Sequence, residues 1–329
     1  MANLDSQSLS GVDCLQAPST TSGRWDFAAE LAAWGPGKSR DTPEAMAARA
    51  YCSHVARTHY ENFTVVSLFL PRRLVRHFQA VYAYCRWADD LADETSGGEE
   101  ALRLLDWWRE ELHACYDGMP RHPVMVALRE TVRRFDIPRQ PFLDLLSAFE
   151  QDQKVKEYDT FTDLVDYCRR SANPVGRLVL YLFHCHDEVR GALSDEVCTG
   201  LQLANFWQDV RRDLDMGRIY LPKEDRERLG EADSDLRSRR FSPAFADLMR
   251  FEVQRARGCF DRGSALLPLL PGMARLEVSL FIAGGRAILD AVEKQGFDVW
   301  SRRPEVSHRE KFSLMLRTLW TEIRTRRWA

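Results

Sequence analysis

From about residue 42 to residue 294, apolar positions recur three and four residues apart, the spacing of one face of an α-helix. Thr42-Pro43-Glu44 supplies a helix start, and a helix through Ala50 and His54 follows it. Pro71 opens a second helix that runs into Val81–Glu94. Leu102–Tyr116 places Trp107, Trp108, Leu112 and Tyr116 on apolar positions, and Asp117-Gly118 with Pro120 ends it. Pro123–Phe135, Phe142–Asp152, Pro243–Leu267 and Leu276–Lys294 read the same way, the third with Phe245, Leu248, Met249, Val253 and Phe260 as its apolar positions. No stretch alternates apolar and polar residues long enough for a strand. The pattern predicts an all-α protein. Residues 1–40 are rich in Ser, Thr, Gly and Asp and are expected to form a disordered leader, leaving 41–329 as the folded domain.

Two helical stretches carry charge among apolar neighbours. Val81–Glu94 reads VYAYCRWADDLADE. Tyr82, Arg86, Asp89 and Asp93 share one face, and two carboxylates one turn apart call for a cationic group opposite them. A lone DxxxD is most simply a solvated acidic face. Here the stripe continues through Arg86 and Tyr82, and its flanks are those of a buried helix. Gln202–Pro222 reads QLANFWQDVRRDLDMGRIYLP, and Gln202, Asn205, Asp209 and Asp213 again fall on one face. Facing each other, the two helices would pool four carboxylates and an amide oxygen, a cluster that does not stay charged and unpaired in a cavity. Oxygen-only donors suit Mg²⁺, which takes one or two carboxylates and fills its shell with substrate phosphate and water. The expected metal ligands are Asp89, Asp93, Asn205, Asp209 and Asp213, and the expected partner is a diphosphate.

These motifs resemble those of the squalene and phytoene synthases, the head-to-head prenyl synthases. The resemblance runs from about Tyr51 to Arg303. It rests on YxxxRxxDDxxD at Tyr82–Asp93, QxxNxxxDxxxD at Gln202–Asp213 and RIYLP at Arg218–Pro222, the two acidic motifs being about 110 residues apart in this order. It implies the isoprenoid synthase fold for the catalytic domain, one domain of roughly ten helices around a central cavity with both acidic motifs at its mouth. HYENFTV at His59–Val65, followed by FLPRRL, is most similar to the bacterial hopanoid-pathway hydroxysqualene synthases.

What the resemblance implies for single residues is more detailed. His59 alone reads as an ordinary surface or core histidine, but the family contacts substrate diphosphate in this segment. Glu61 and Asn62 depart from the family pattern there. Phe63 matches an aromatic that touches prenyl chains, and Tyr167 matches a pocket tyrosine in YCRRSANPVG, where Pro174 and Gly176 break an apolar helix. Arg302 matches an arginine that contacts phosphate, while Gly285 stands where the family has a tyrosine. Gln202 and Asn205 join the substrate-binding set. Arg86 is expected to add positive charge against phosphate oxygens. Phe63, Tyr82 and Tyr167 are expected to line a dry chamber for a carbocation. Tyr220 either faces the diphosphate or shuttles a proton, or else packs under the polar helix-and-loop lid expected at Lys223–Phe241.

Composition removes several classes. Of 329 residues, 45% are apolar and the formal net charge is −3, so nothing points to nucleic acid. The eight cysteines, Cys14, Cys52, Cys85, Cys115, Cys168, Cys185, Cys198 and Cys259, form no CxxC pair, which fits reduced thiols. His184-Cys185-His186 points to different sides of a helix and is not read as a metal site. No GxGxxG or Walker loop appears. MANLDSQSLS lacks the features of a secretory signal, and no run of eighteen apolar residues exists, so a cytoplasmic location is expected. The tail, with Arg317, Arg324, Arg326 and Arg327 near Trp320 and Trp328, reads first as a solvated face; the alternative is shallow contact with an anionic membrane at the inner face of the cell.

The expected activity is Mg²⁺-dependent conversion of presqualene diphosphate to hydroxysqualene, with a functional link to other hopanoid-pathway enzymes. Glu61 and Asn62 supply polar groups able to hold a water near the cation. The alternative is head-to-head condensation of two farnesyl diphosphates to presqualene diphosphate, squalene or phytoene. A non-enzymatic alternative is an inactive assembly or binding factor of the same fold, against which stands the presence of all four aspartates.

Overall fold

A computed structural model describes residues 25–38, 41–58 and 70–326. His59, Glu61, Asn62 and Phe63 lie outside the described residues. The helices are α1 (Phe27–Trp34), α2 (Ala45–Thr58), α3 (Arg72–Asp93), α4 (Gly98–Asp117), α5 (Pro123–Arg134), α6 (Gln140–Asp152) and α7 (Phe161–Ser171). They continue with α8 (Asn173–Leu182), α9 (Glu188–Asp215), α10 (Lys223–Arg228), α11 (Asp233–Arg237), α12 (Pro243–Gly263), α13 (Gly272–Lys294) and α14 (His308–Arg326). The all-α expectation holds: among the described residues strand pairing is limited to one isolated bridge, Glu157 with Ile219.

Two apolar cores flank a seam. The first forms around α3, where Trp87 and Leu91 meet Leu105 and Trp108 of α4, Leu128 of α5 and Phe142 of α6. Trp87 stacks on Trp108 at 5.4 Å and meets the His122 ring edge-on at 4.4 Å. His122 also starts α5, its Nδ1 accepting from Val124 N at 3.2 Å; burial holds its pKa well below the usual range, which keeps that nitrogen an acceptor. The second core forms around α9, where Leu203 and Trp207 meet Leu164 of α7, Phe245, Leu248 and Phe260 of α12 and Leu289 of α13. The short α8 crosses the seam. Leu178 and Leu182, one turn apart, enter the first core, and Leu180 on the opposite side enters the second.

Two glycines set helix approach. A Cβ on Gly176 would lie 2.4 Å from both Cys198 Sγ and Ser194 Oγ, so α8 rests directly on α9. A Cβ on Gly285 would lie 2.3 Å from Phe260 Cζ, whereas one on Gly284 would meet nothing within 4 Å. Gly285 therefore serves the packing of α13 on α12. Open space lies beside Gly284 instead.

Two expectations change. Part of the expected disordered leader is a helix: Asp26 caps α1 by accepting from Ala29 N at 3.2 Å, and Phe27 is buried with its ring 5.3 Å from that of Trp87. Its sequence is short and Ala-rich, and its order comes from this docking rather than from its own periodicity. The segment 223–241 is helix-and-loop as expected, but it is pinned. Arg226 is 1% exposed, pairs with Glu157 and Asp233, and donates through Nε to Leu221 O at 3.2 Å. The described cysteines are all free, and no helix of the described residues is long and apolar enough to cross a membrane.

Candidate active site

The C-terminal half of α3 and that of α9 bring their acidic faces to one cavity of about 320 Å³, with α6 and α7 as its other walls. Asp89 and Asp93 come from α3; Gln202, Asn205, Phe206, Asp209 and Asp213 come from α9. The RIYLP segment adds Arg218 and Tyr220, held beside residues 156–158 by Ile219 N donating to Lys156 O at 2.7 Å and Lys223 N donating to Tyr158 O at 2.9 Å. The cation expected opposite Asp93 is Arg218, at 2.8 Å across the seam. Arg303 answers Asp209, donating from Nη2 to Oδ2 at 2.9 Å, and reaches Gln208 Oε1 at 3.0 Å. Arg86 holds Asp89 at 3.1 Å and also pairs with Asp90, which takes a further bond from Trp25 Nε1 at 2.8 Å.

One wall is aromatic. Tyr220 stacks on Phe206 at 3.8 Å and lies 5.8–5.9 Å from Tyr158 and Tyr167. Tyr167 donates its hydroxyl to Asp152 Oδ2 at 2.8 Å. Ser171, also in the wall, has a buried hydroxyl without a partner.

Positive charge is in short supply here. Burial lifts the Asp89 carboxyl to about 6, with Asp93 and Asp90 adding to the rise and Arg86 and Arg218 opposing it. Burial, then Asp209, lifts Asp213 to about 7 against Arg218, Arg212 and Arg303. Burial raises Asp152 to about 6, the bond from Tyr167 working against it. A cationic ligand would relieve all three. Among the described residues no three His, Cys, Asp or Glu side chains gather into a ready metal-binding group. The donors are nonetheless all oxygens, spread over two facing helices one turn apart. That set fits Mg²⁺ shared with a diphosphate, which needs only one or two carboxylates per ion.

The squalene/phytoene synthase family profile matches residues 56–310. The chain belongs to that family. Among curated relatives, a 15-cis-phytoene synthase of Synechocystis sp. is 30% identical over 292 residues, 84% of this chain and 86% of the relative. A phytoene synthase of Arthrospira platensis is 29% identical over 268 residues, 78% of this chain and 87% of the relative. Among solved structures, squalene synthase HpnC from Alicyclobacillus acidocaldarius superposes with a TM-score of 0.74 at 45% identity, covering 77% of this chain and 95% of that one. A dehydrosqualene synthase in complex with ligand gives 0.75 at 27% identity, covering 84% and 97%.

Within this squalene/phytoene synthase, the cavity gathers most of the expected side chains: Asp89, Asp93, Asn205, Asp209, Asp213, Gln202, Tyr167 and Tyr220. Tyr220 both packs on Phe206 and lines the cavity. Tyr82 and Arg86 are not lining residues. Tyr82 is half-buried against the first core with its hydroxyl pushed up to about 12 by burial, and Arg86 spends its guanidinium on Asp89 and Asp90. Arg302 is exposed and lies in a groove between α13 and α14, its carbonyl accepting from Gln295 Nε2 at 3.0 Å. Its neighbour Arg303 is the arginine at the acidic face. The chain leaves α13 through an irregular turn in which Asp298 accepts from Trp300 N at 3.0 Å and Ser301 N at 3.1 Å, so helical spacing no longer tells which arginine turns inward. Sequence reasoning also missed Asp152, Ser171 and Arg218 as lining residues. The family match is consistent with the Arg218 position, which stands within the quoted RIYLP.

Proposed function

We propose that this enzyme converts presqualene diphosphate to hydroxysqualene with Mg²⁺ as cofactor, in the cytoplasm and in peripheral contact with the inner face of the cell membrane. The observation that carries the diphosphate chemistry is the single cavity lined by both acidic faces. The branch assignment rests on HYENFTV at 59–65, which resembles the hydroxysqualene branch; the 45% identity to squalene synthase HpnC supports the pathway that both readings share.

Asp89, Asp93, Asn205, Asp209 and Asp213 would hold the ions. Bound there, Mg²⁺ would supply positive charge to the leaving diphosphate. Arg218 and Arg303 now neutralise Asp93 and Asp209, and they are free to turn to phosphate oxygens once those carboxylates have another cation. The carbinyl C–O bond breaks and its electron pair leaves with diphosphate. The faces of Tyr167, Phe206 and Tyr220 stabilise the cation without offering a nucleophile at the ring. A C–C bond of the cyclopropane then opens, its electron pair forming an alkene and leaving an open-chain allylic cation; water forms the new C–O bond there, and the sum is substrate plus water giving alcohol, diphosphate and one proton. The Tyr167–Asp152 pair can hold that proton on Asp152, whose carboxyl is already raised to about 6. A condensing enzyme must supply this substrate, and a reductive step must follow, which is the expected link to other hopanoid-pathway enzymes.

The names of the relatives favour a second reading, head-to-head condensation of two farnesyl diphosphates to presqualene diphosphate, squalene or phytoene. Product analysis separates the two. Presqualene diphosphate with Mg²⁺ and without NADPH is expected to give hydroxysqualene carrying ¹⁸O from labelled water. Recovery of untouched substrate, or a strict need for NADPH, overturns the proposal; product from farnesyl diphosphate alone establishes the second reading.

A further inference from the structure

The C-terminal helix α14 carries an apolar stripe that the protein does not cover. Phe312, Leu316 and Trp320, spaced four residues apart, are 58%, 49% and 60% exposed. Scattered exposed apolar residues need no explanation, but three in register on one helix face are a surface feature. The helix is 19 residues long, about 28 Å, and lies almost wholly beyond residue 310, where the family profile ends. Almost all of it lies outside the part of the chain that the family profile matches.

The charges on α14 are sorted by face. Glu322 turns inward, pairing with Arg275 at 2.8 Å and accepting from Ser279 at 2.9 Å, which fastens α14 to α13. Glu310 is occupied by Lys294 at 3.3 Å and by the Ser307 amide at 2.9 Å. Arg309, Arg317 and Arg324 are exposed and flank the stripe: Arg309 three before Phe312, Arg317 three before Trp320 at the rim of the groove between α13 and α14, and Arg324 four after Trp320. No ion pair joins any of the three to a described residue. Arg324 lies over the Trp320 ring, 4.3 Å from its centroid, so a cation sits directly on the apolar stripe.

We infer that the Phe312–Leu316–Trp320 face of α14 docks the enzyme on an anionic lipid bilayer, lying in the interface plane with the three arginines at the phosphate level. The inference rests on the membrane contact proposed above and says which surface makes it. Apolar side chains flanked by arginine on one helix face match an interface in which acyl chains lie beneath anionic headgroups. A second copy of the chain would present the same arginines to each other and gain no charge complementarity. Docking in this plane keeps a water-insoluble C30 product near the phase that takes it up.

The test is co-sedimentation of the full chain with phosphatidylcholine vesicles, with and without phosphatidylglycerol. Wild type is expected to bind the anionic vesicles, and less as salt rises. Each arginine contributes about fivefold in affinity, so the Arg309→Gln/Arg317→Gln/Arg324→Gln variant is expected to bind roughly a hundredfold more weakly. Phe312→Ser/Leu316→Ser/Trp320→Ser should lose binding while keeping turnover of detergent-dispersed substrate. If wild type ignores both vesicle types, the membrane contact itself fails. If wild type binds and the stripe variant binds equally, the contact stands and the α14 surface is overturned. A stripe variant that keeps vesicle binding but dissociates a wild-type dimer also overturns it, and assigns the face to a second copy.

Discussion

Glu277 on α13 is 1% exposed, and neither carboxylate oxygen has a hydrogen-bond partner. Burial alone lifts its carboxyl from 4.5 to about 8. The folded state therefore holds a proton that the unfolded chain has released. From about 4.5 upward stability falls as pH rises, by at most about 1.4 kcal/mol per unit, and the fall ends near 8. Glu277→Gln, which carries no charge to desolvate, is expected to flatten this slope between pH 5 and 8 in urea unfolding, and to be more stable than wild type at pH 8. An unchanged slope would show that Glu277 finds compensation in solution. At this scale the sequence was only partly legible. Asp89, Asp93, Asp209 and Asp213 could be placed because each sits inside a long helix, where spacing fixes direction. Arg302 came from the family resemblance alone; the structure puts its neighbour Arg303 on Asp209 instead, in an irregular turn where no periodicity separates the two. Asp152 lies at the end of α6, and what brings it into the cavity is a bond from Tyr167 across the α6–α7 connection.

At the scale of elements, the helices themselves followed the apolar pattern closely, since a helix between two cores must show its buried faces in sequence. The exceptions are elements ordered by partners far along the chain, such as α1, whose neighbouring Trp25 reaches Asp90 across 65 residues. Adjacent glycines in α13 give a sharp comparison. Gly284→Ala meets open space and gains helix propensity, so it should be neutral or stabilising by up to about 1 kcal/mol. Gly285→Ala drives a methyl into Phe260 and should cost about 1–3 kcal/mol, read as a lower thermal midpoint at unchanged helicity. Equal midpoints would show that α13 shifts away from α12 without penalty. The strut α10 behaves differently. Arg226→Met removes the buried partner of Glu157, Asp233 and Leu221 O, leaves Glu157 with Arg237 alone at 3.7 Å, and is expected to cost about 1–3 kcal/mol because both carboxylates keep contact with water. Because residues 156–158 hold the RIYLP segment, the same change should also lower turnover by loosening Tyr220 and Arg218. A destabilised variant with full turnover at low temperature would separate the strut from the site.

For the whole molecule the decisive feature is that the acidic cavity lies on the seam between two cores. Without a ligand, the Arg218–Asp93 pair joins the halves across 125 residues of sequence, in a partly solvated position where such a pair contributes little. A ligand held by both acidic faces would be a stronger tie. Mg²⁺ with inorganic diphosphate should therefore stabilise the entire fold, by about 2.7 kcal/mol at a hundredfold excess over Kd, a rise of several degrees in thermal midpoint. The two components should act together, since neither acidic face offers a ready metal cage by itself. Asp89→Asn alters the first half and Asp209→Asn the second, and each alone should abolish the whole shift and reduce turnover at least a hundredfold while leaving helicity intact. Calorimetry on the three proteins, with Mg²⁺, diphosphate and both, checks this. If Asp89→Asn retains the full shift while Asp209→Asn loses it, the diphosphate belongs to α9 alone, and the two faces do not share a ligand.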